Sequence, residues 1–301
     1  MATRTNWTGV GTALVTPFKS NGDVDEAAFR RLARRQVDAG VHILVPCGTT
    51  GEVPTLTDAE KLRLVTIAVE EAKGKARVLA GAGGYNTREI IHTVGEFEKA
   101  GADGILSVTP YYNRPTQEGL FQHYRAIAES TSLPIVLYNV PGRTGCNIEP
   151  ATLVRLAAIK NIAGVKEASG NITQIAEICR TVPSDFFVLS GDDALTLPLM
   201  VLGGHGIISV ASNEVPAEMV EMVEAFERGD LATAQRLNKQ LLPLMQINFI
   251  ESSPGPVKFA MSEMGLCEAN YRLPMVPVSD ASAEKIRKVL HGAPWPSMVK
   301  A

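Results

Sequence analysis

The chain is sparing with the residues that usually mark special chemistry. Its four cysteines, Cys47, Cys146, Cys179 and Cys267, are far apart and form no CxxC pair, which excludes a disulfide scaffold and points to reduced thiols in a cytoplasmic protein. The five histidines, at 42, 92, 123, 205 and 291, show neither HExxH nor paired spacing, so no metal site and no cofactor are expected. Neither sign of charge dominates: 29 Lys+Arg against 32 Asp+Glu give a formal charge of -3, without the basic excess that a dedicated nucleic-acid binder needs. GxSxG, Walker A and GxGxxG are all missing, and the nearest glycine cluster, Gly81-Ala82-Gly83-Gly84, has the wrong spacing for a dinucleotide fold. The most apolar window, residues 194–211, is broken by Thr196, Pro198, Gly203, Gly204 and His205, so no lipid-facing helix of about 20 residues is expected. The N-terminal stretch to Phe18 has no small-x-small cleavage site and is not read as a signal peptide.

What is present is a regular alternation. Short β-rich apolar runs at residues 11–15, 43–46, 78–80, 104–107, 135–138, 162–166, 187–189 and 206–209 are separated by stretches of helical period at 25–39, 58–72, 87–100, 116–130, 150–158, 172–181 and 193–202. Asp58 and Pro150 mark helix starts, and Gly40, Gly74, Gly101 and Gly203 fall where a left-handed cap ends a helix. Eight strands with intervening helices predict an α/β protein of the TIM (β/α)8 barrel type, with a doubly wound open sheet as the alternative. After Ser209 the period stays helical, at 216–228, 230–247, 256–264 and 283–290. The expected organisation is therefore a barrel over residues 1–210 and a helical C-terminal subdomain over 211–301, packed on it without a Pro/Gly/Ser linker. Its tail from His291, with Pro294, Trp295 and Pro296, reads equally as docked or loose.

In such a barrel the polar residues just past each strand are the ones to weigh. Lys166 closes the run Ile162-Ala163-Gly164-Val165, and the alternation points it inward. A desolvated lysine loses proton affinity and serves as a nucleophilic amine toward a carbonyl, while the plainer alternative is a lysine paired with Glu167 or reaching to the rim. Cys47-Gly48-Thr49-Thr50-Gly51-Glu52, past the second strand, offers backbone amides and hydroxyls suited to a carboxylate or phosphate, or is simply a glycine-rich turn. Tyr111 and Tyr112 follow the fourth strand; Tyr138 and Arg143 follow the fifth. Tyrosine relays protons and arginine forks a carboxylate, although a buried tyrosine is often structural. In Gly191-Asp192-Asp193 a cation site competes with a helix cap.

Together and in this order, GTTGE at 48–52, TPYYNRP at 109–115, YNVPGRTG at 138–145, GVKEASG at 164–170, LSGDD at 189–193 and GGHGIISV at 203–210 resemble the pyruvate-dependent class I aldolase family, over nearly the whole chain. The resemblance implies that Lys166 condenses with pyruvate, that Thr49 and Thr50 hold the pyruvate carboxylate, and that Tyr138 relays protons with Thr49 and Tyr112. It further implies that Tyr112 reaches into the neighbouring subunit's site within a homotetramer built from two tight dimers. Arg143 matches the residue that binds the carboxylate of a second substrate, L-aspartate-4-semialdehyde, and Gly191 with the carbonyl of Ile208 lines the pocket. The implied activity is condensation of these two carbonyl compounds for lysine and diaminopimelate biosynthesis. The alternative is cleavage of a sugar acid or hydroxy-oxo acid, as in N-acetylneuraminate lyase, with Arg143 the discriminating residue. A barrel retained only for binding would have no reason to keep all these groups, and a phosphate-binding barrel enzyme would need its glycines after the last strands rather than at 203–206. Where feedback-inhibited relatives bind an effector lysine, this chain has Val53, Pro54, Asp58, Lys61 and Tyr85, with only Glu89 and Tyr111 as in the sensitive pattern, which predicts weak or absent inhibition.

Overall fold

Eight short strands pair in sequence order, all parallel, and the last returns to the first. They are β1 (Gly9–Ala13), β2 (Ile43–Val45), β3 (Arg77–Gly81), β4 (Gly104–Val108), β5 (Ile135–Asn139), β6 (Ile162–Glu167), β7 (Phe187–Ser190) and β8 (Gly206–Ser209). The computed structural model describes residues 6–292; the positions of Pro294, Trp295 and Pro296 lie outside the described residues. Between the strands run α1 (Glu26–Asp38), α2 (Asp58–Ala72), α3 (Thr87–Lys99), α4 (Gln117–Glu129), the single turn α5 (Pro141–Thr144), α6 (Pro150–Ala157), α7 (Ile172–Thr181) and α8 (Thr196–Val201). The closed sheet is the (β/α)8 barrel that the alternation predicts, and the open sheet is excluded.

The period of two divides each strand between two apolar layers. Ala13, Ile43, Val45, Leu79, Leu106, Val136, Tyr138, Leu189 and Ile208 fill the barrel interior, whereas Leu44, Val78, Ala80, Ile105 and Leu137 face outward onto the helices. Trp7 is wholly buried and packs with the interior set. Gly104 makes room for it, since a Cβ there would stand 2.5 Å from the indole. After β8, α9 (Pro216–Glu227) packs along β1, with Met219 and Val223 sharing an apolar cluster with Val10 and Ile207. The helices α10 (Leu231–Ile247), α11 (Gly255–Glu263) and α12 (Asp280–His291) continue from it.

Three local expectations shift, each for a traceable reason. The first strand ends at Ala13 rather than Val15, because the Val15 amide donates to the Asn213 side chain instead of to a ladder. The second helix is capped by Thr57, not Asp58: the Thr57 hydroxyl and the Glu60 carboxylate satisfy each other's backbone amides. The stretch at 193–202 is not one helix. Asp193 turns inward to accept from Ser209 and from the Val210 and Ala211 amides, leaving one tight 3-10 turn before α8. Gly40, Gly74, Gly101 and Gly203 all take positive φ as expected.

Candidate active site

Register brings the first group of site residues together. Tyr138 of β5, Lys166 of β6 and Leu189 of β7 are lateral partners, so their side chains share the interior face. Lys166 is only 6% exposed, and its Nζ stands 4.2 Å from the centroid of the Tyr138 ring. Glu167 points the other way. Its carboxylate accepts from Asn139 at 2.9 Å and from the Ser169 amide at 2.7 Å, so the alternative of a Lys166–Glu167 pair is not realised. Gly191 borders the lysine stem: a Cβ there would lie 3.0 Å from Lys166 Cε and 2.6 Å from the Ala168 Cβ. Ile208 packs in the same interior layer. Asp192 caps the following turn through the Ala194 amide, and among the described residues no acidic, histidine or cysteine group converges as a metal site.

The GTTGE loop is held in a strained course. Cys47 and Glu52, which bracket it, take φ of 58° and 54°, a left-handed conformation costing about 1–2 kcal/mol for a residue with a Cβ. Two tight turns fold the loop, Gly51 N–H to the Gly48 carbonyl and Glu52 N–H to the Thr49 carbonyl, both at 3.1 Å. Thr50 is buried and Thr49 half-buried.

The C-terminal part of the chain grips the far side of this loop. Lys258 of α11 and Glu52 form an ion pair at 2.6 Å in which both side chains are almost completely buried. Phe18 and Tyr271 face the ammonium at 4.1 and 5.2 Å. Arg272 forks the Glu60 carboxylate at 2.6 and 2.9 Å and donates to the Thr55 carbonyl. Sequence reasoning missed Lys258 and Arg272. The available signal was a lysine inside the apolar helical run Val257-Lys258-Phe259-Ala260-Met261.

The Arg272 guanidinium holds the Glu60 carboxyl down to about 2. The folded value lies below the unfolded one of about 4.3, so this stabilisation is complete above that pH and fades as the pH falls toward about 2. Glu60→Gln, which keeps the capping box, is expected to lose about 1–2 kcal/mol at pH 7. The gap from the parent should narrow as the pH falls below about 5 and close only about one pH unit below the folded value. Urea titrations across that range check it; a gap independent of pH would refute the assignment.

A cavity of about 300 Å³ opens over the interior layer, lined by Thr49, Val108, Tyr111, Val140, Arg143 and Thr144 among others. Val140 belongs to the interior cluster and Val108 packs against it; Val108 is the lateral partner of Tyr138, so this cavity lies at the C-terminal end of the barrel, next to the row that carries Tyr138 and Lys166. Arg143 sits on the α5 turn, its guanidinium exposed toward the space and 3.5 Å from the Ser253 carbonyl. Tyr112 joins neither group. It is 90% exposed with φ of 70° and projects from the chain. A neighbouring cavity of about 410 Å³ is lined by Val53, Asp58, Lys61, Tyr85, Glu89 and Tyr111, together with Arg88 and His92; Pro54 borders the first cavity instead.

A closed parallel barrel with a lysine buried at the end of its sixth strand, and a cavity lined by Thr49, Val108 and Arg143 at the strands' C-terminal ends, defines a (β/α)8-barrel enzyme. The sequence profile of the dihydrodipicolinate synthetase family matches residues 6–293. The 4-hydroxy-tetrahydrodipicolinate synthase of Koribacter versatilis is 53% identical over 282 residues, covering 93% of this chain and 94% of that protein. The dihydrodipicolinate synthase structure from Thermotoga maritima superposes with a TM-score of 0.93 at 47% identity, covering 95% of this chain and 98% of that one. A monomeric dihydrodipicolinate synthase variant superposes equally well, with a TM-score of 0.93 at 47% identity over 95% and 96% of the two chains. The chain belongs to the dihydrodipicolinate synthetase family.

Proposed function

We propose that the chain is a 4-hydroxy-tetrahydrodipicolinate synthase, condensing pyruvate with L-aspartate-4-semialdehyde for lysine and diaminopimelate biosynthesis. The observation that carries this reading is the Lys166 amine, buried in the barrel interior against Tyr138. Its Nζ attacks the pyruvate ketone and water leaves, giving a protonated imine that serves as an electron sink. The methyl group then loses a proton, and the enamine forms a carbon–carbon bond to the aldehyde. Attack by the second substrate's own amine on the imine carbon closes the ring and releases Lys166, so the sum is two substrates in, one water and one cyclic product out. Thr49 and Thr50 hold the pyruvate carboxylate, Arg143 takes that of the semialdehyde, and Gly191 and the Ile208 carbonyl shape the space around the lysine.

Tyr112 completes the proton relay of Tyr138 and Thr49 in a neighbouring subunit. Its exposure in the single chain supports a homotetramer of two tight dimers. Among the described residues no helix is long and apolar enough to cross a membrane, and the reading places the enzyme in the cytoplasm. On this reading the described residues up to 210 belong to the barrel unit and those from 211 to the helical unit, whose α9 packs along β1.

The test couples pyruvate and L-aspartate-4-semialdehyde to dihydrodipicolinate reductase and follows NADPH consumption. Turnover requiring both substrates supports the reading; turnover only in the direction of sugar-acid cleavage would replace it with the lyase alternative. The 410 Å³ cavity carries a regulatory expectation. Lys61, Arg88 and His92 line it, and Lys61 pairs with Asp58 at 3.0 Å. A cation at this position opposes an incoming ammonium. Low-millimolar L-lysine is therefore expected to change the rate by less than about twofold, and strong inhibition in the same assay would overturn this.

A further inference from the structure

We infer that Glu52 and Lys258 are positioning residues for substrate, acting as a clamp by which the C-terminal helices fix the pyruvate-binding loop. The inference rests on the reading that Thr49 and Thr50 hold the pyruvate carboxylate.

The connection is short and continuous. Lys258 Nζ binds Glu52 Oε1 at 2.6 Å, the Glu52 amide binds the Thr49 carbonyl at 3.1 Å, and the Gly51 carbonyl is held by the Thr16 hydroxyl at 2.7 Å. Fixing the Glu52 carboxylate therefore fixes the backbone of the residue that meets the substrate. Glu52 also has to be kept left-handed, with φ of 54°, and a conformation of that kind persists only where its surroundings over-determine it. The Thr55 hydroxyl on the Glu52 carbonyl, at 2.9 Å, and the aromatic faces of Phe18 and Tyr271 over the ammonium provide that constraint.

Stability alone is a poor reason for the pair. Desolvating two charges costs much of what their attraction returns, and apolar replacements of such pairs are often neutral or better. What an apolar pair lacks is direction. A 2.6 Å contact between a carboxylate and an ammonium sets where the loop sits, and a misplacement of about 1 Å at a substrate-binding group costs up to about a hundredfold in rate.

The experiment compares Lys258→Met and the doubly neutral Glu52→Gln/Lys258→Met with the parent, alongside Thr50→Ala as a control on the carboxylate reading. For folded protein, judged by circular dichroism, both clamp variants are expected to lose about ten- to a hundredfold in kcat/KM for pyruvate. Borohydride trapping of pyruvate should slow equally, while kcat/KM for the semialdehyde changes less than about twofold. The double variant leaves no orphan charge, so it reports on positioning where the single variant is too unstable to measure. Parental pyruvate kinetics in the double variant would overturn the inference, as would an equal fall in both specificity constants. A Thr50→Ala enzyme with unchanged pyruvate kinetics would instead remove the reading beneath it.

Discussion

Lys166→Ala is expected to abolish synthase turnover, by at least about a thousandfold, and to end covalent trapping of pyruvate by borohydride. The two losses are tied because the same nitrogen makes the covalent bond and provides the electron sink. The substitution removes a buried stem in contact with Tyr138 and bordered by Gly191. Some loss of stability accompanies it, and circular dichroism separates unfolding from loss of chemistry. Mass spectrometry of the borohydride-treated parent should show one pyruvate-derived adduct per chain, on Lys166. An adduct elsewhere, or turnover surviving in Lys166→Ala, would remove this lysine from the mechanism.

Arg143→Ala should split the two half-reactions. Arg143 lines the mouth cavity on the α5 turn that follows β5, a cavity that Lys166 does not line, so pyruvate trapping should continue at close to the parental rate. Use of the semialdehyde should fall by about a hundredfold or more, the size of losing a charge-assisted fork to a carboxylate. The split is the discriminating result. An enzyme that cleaves sugar acids has no need of a carboxylate fork for its second substrate, and there the same variant would leave aldehyde use intact. If trapping and aldehyde use both survive unchanged, Arg143 has no role at the site.

How far the sequence discloses this arrangement depends on the distance over which each feature is determined. Strand alternation is local, so the inward direction of Lys166 follows from four preceding residues, and the barrel follows from eight repetitions of one pattern. Helix ends set by a neighbouring glycine are equally local. The first strand lies two residues earlier than its apolar run predicts, because Leu14 and Val15 are as apolar as a strand requires, and only Asn213, nearly two hundred residues later, takes the Val15 amide away. The grip on the GTTGE loop is more remote still. Lys258 and Glu52 are 206 positions apart, and Arg272 and Glu60 are 212. No periodicity links them, and a lysine in an apolar helix announces only that some partner exists. Tyr112 shows the opposite limit: its motif is plain, yet the single chain leaves it projecting into solvent.

Trp7 gives the barrel a floor. With the indole seated beside Gly104 and the interior layer above it filled by Ile43, Leu79, Val136 and Ile208, the tube is a well with one opening rather than a passage. On the proposed chemistry, pyruvate, the water expelled when it joins Lys166, the semialdehyde and the finished ring all use the same door. Traffic must then be sequential: the first guest has to be seated at the bottom and its water gone before the second can descend, and the product has to leave before the next cycle begins. The order of arrival then comes from the chemistry, and the closed floor leaves all four one route without any moving gate.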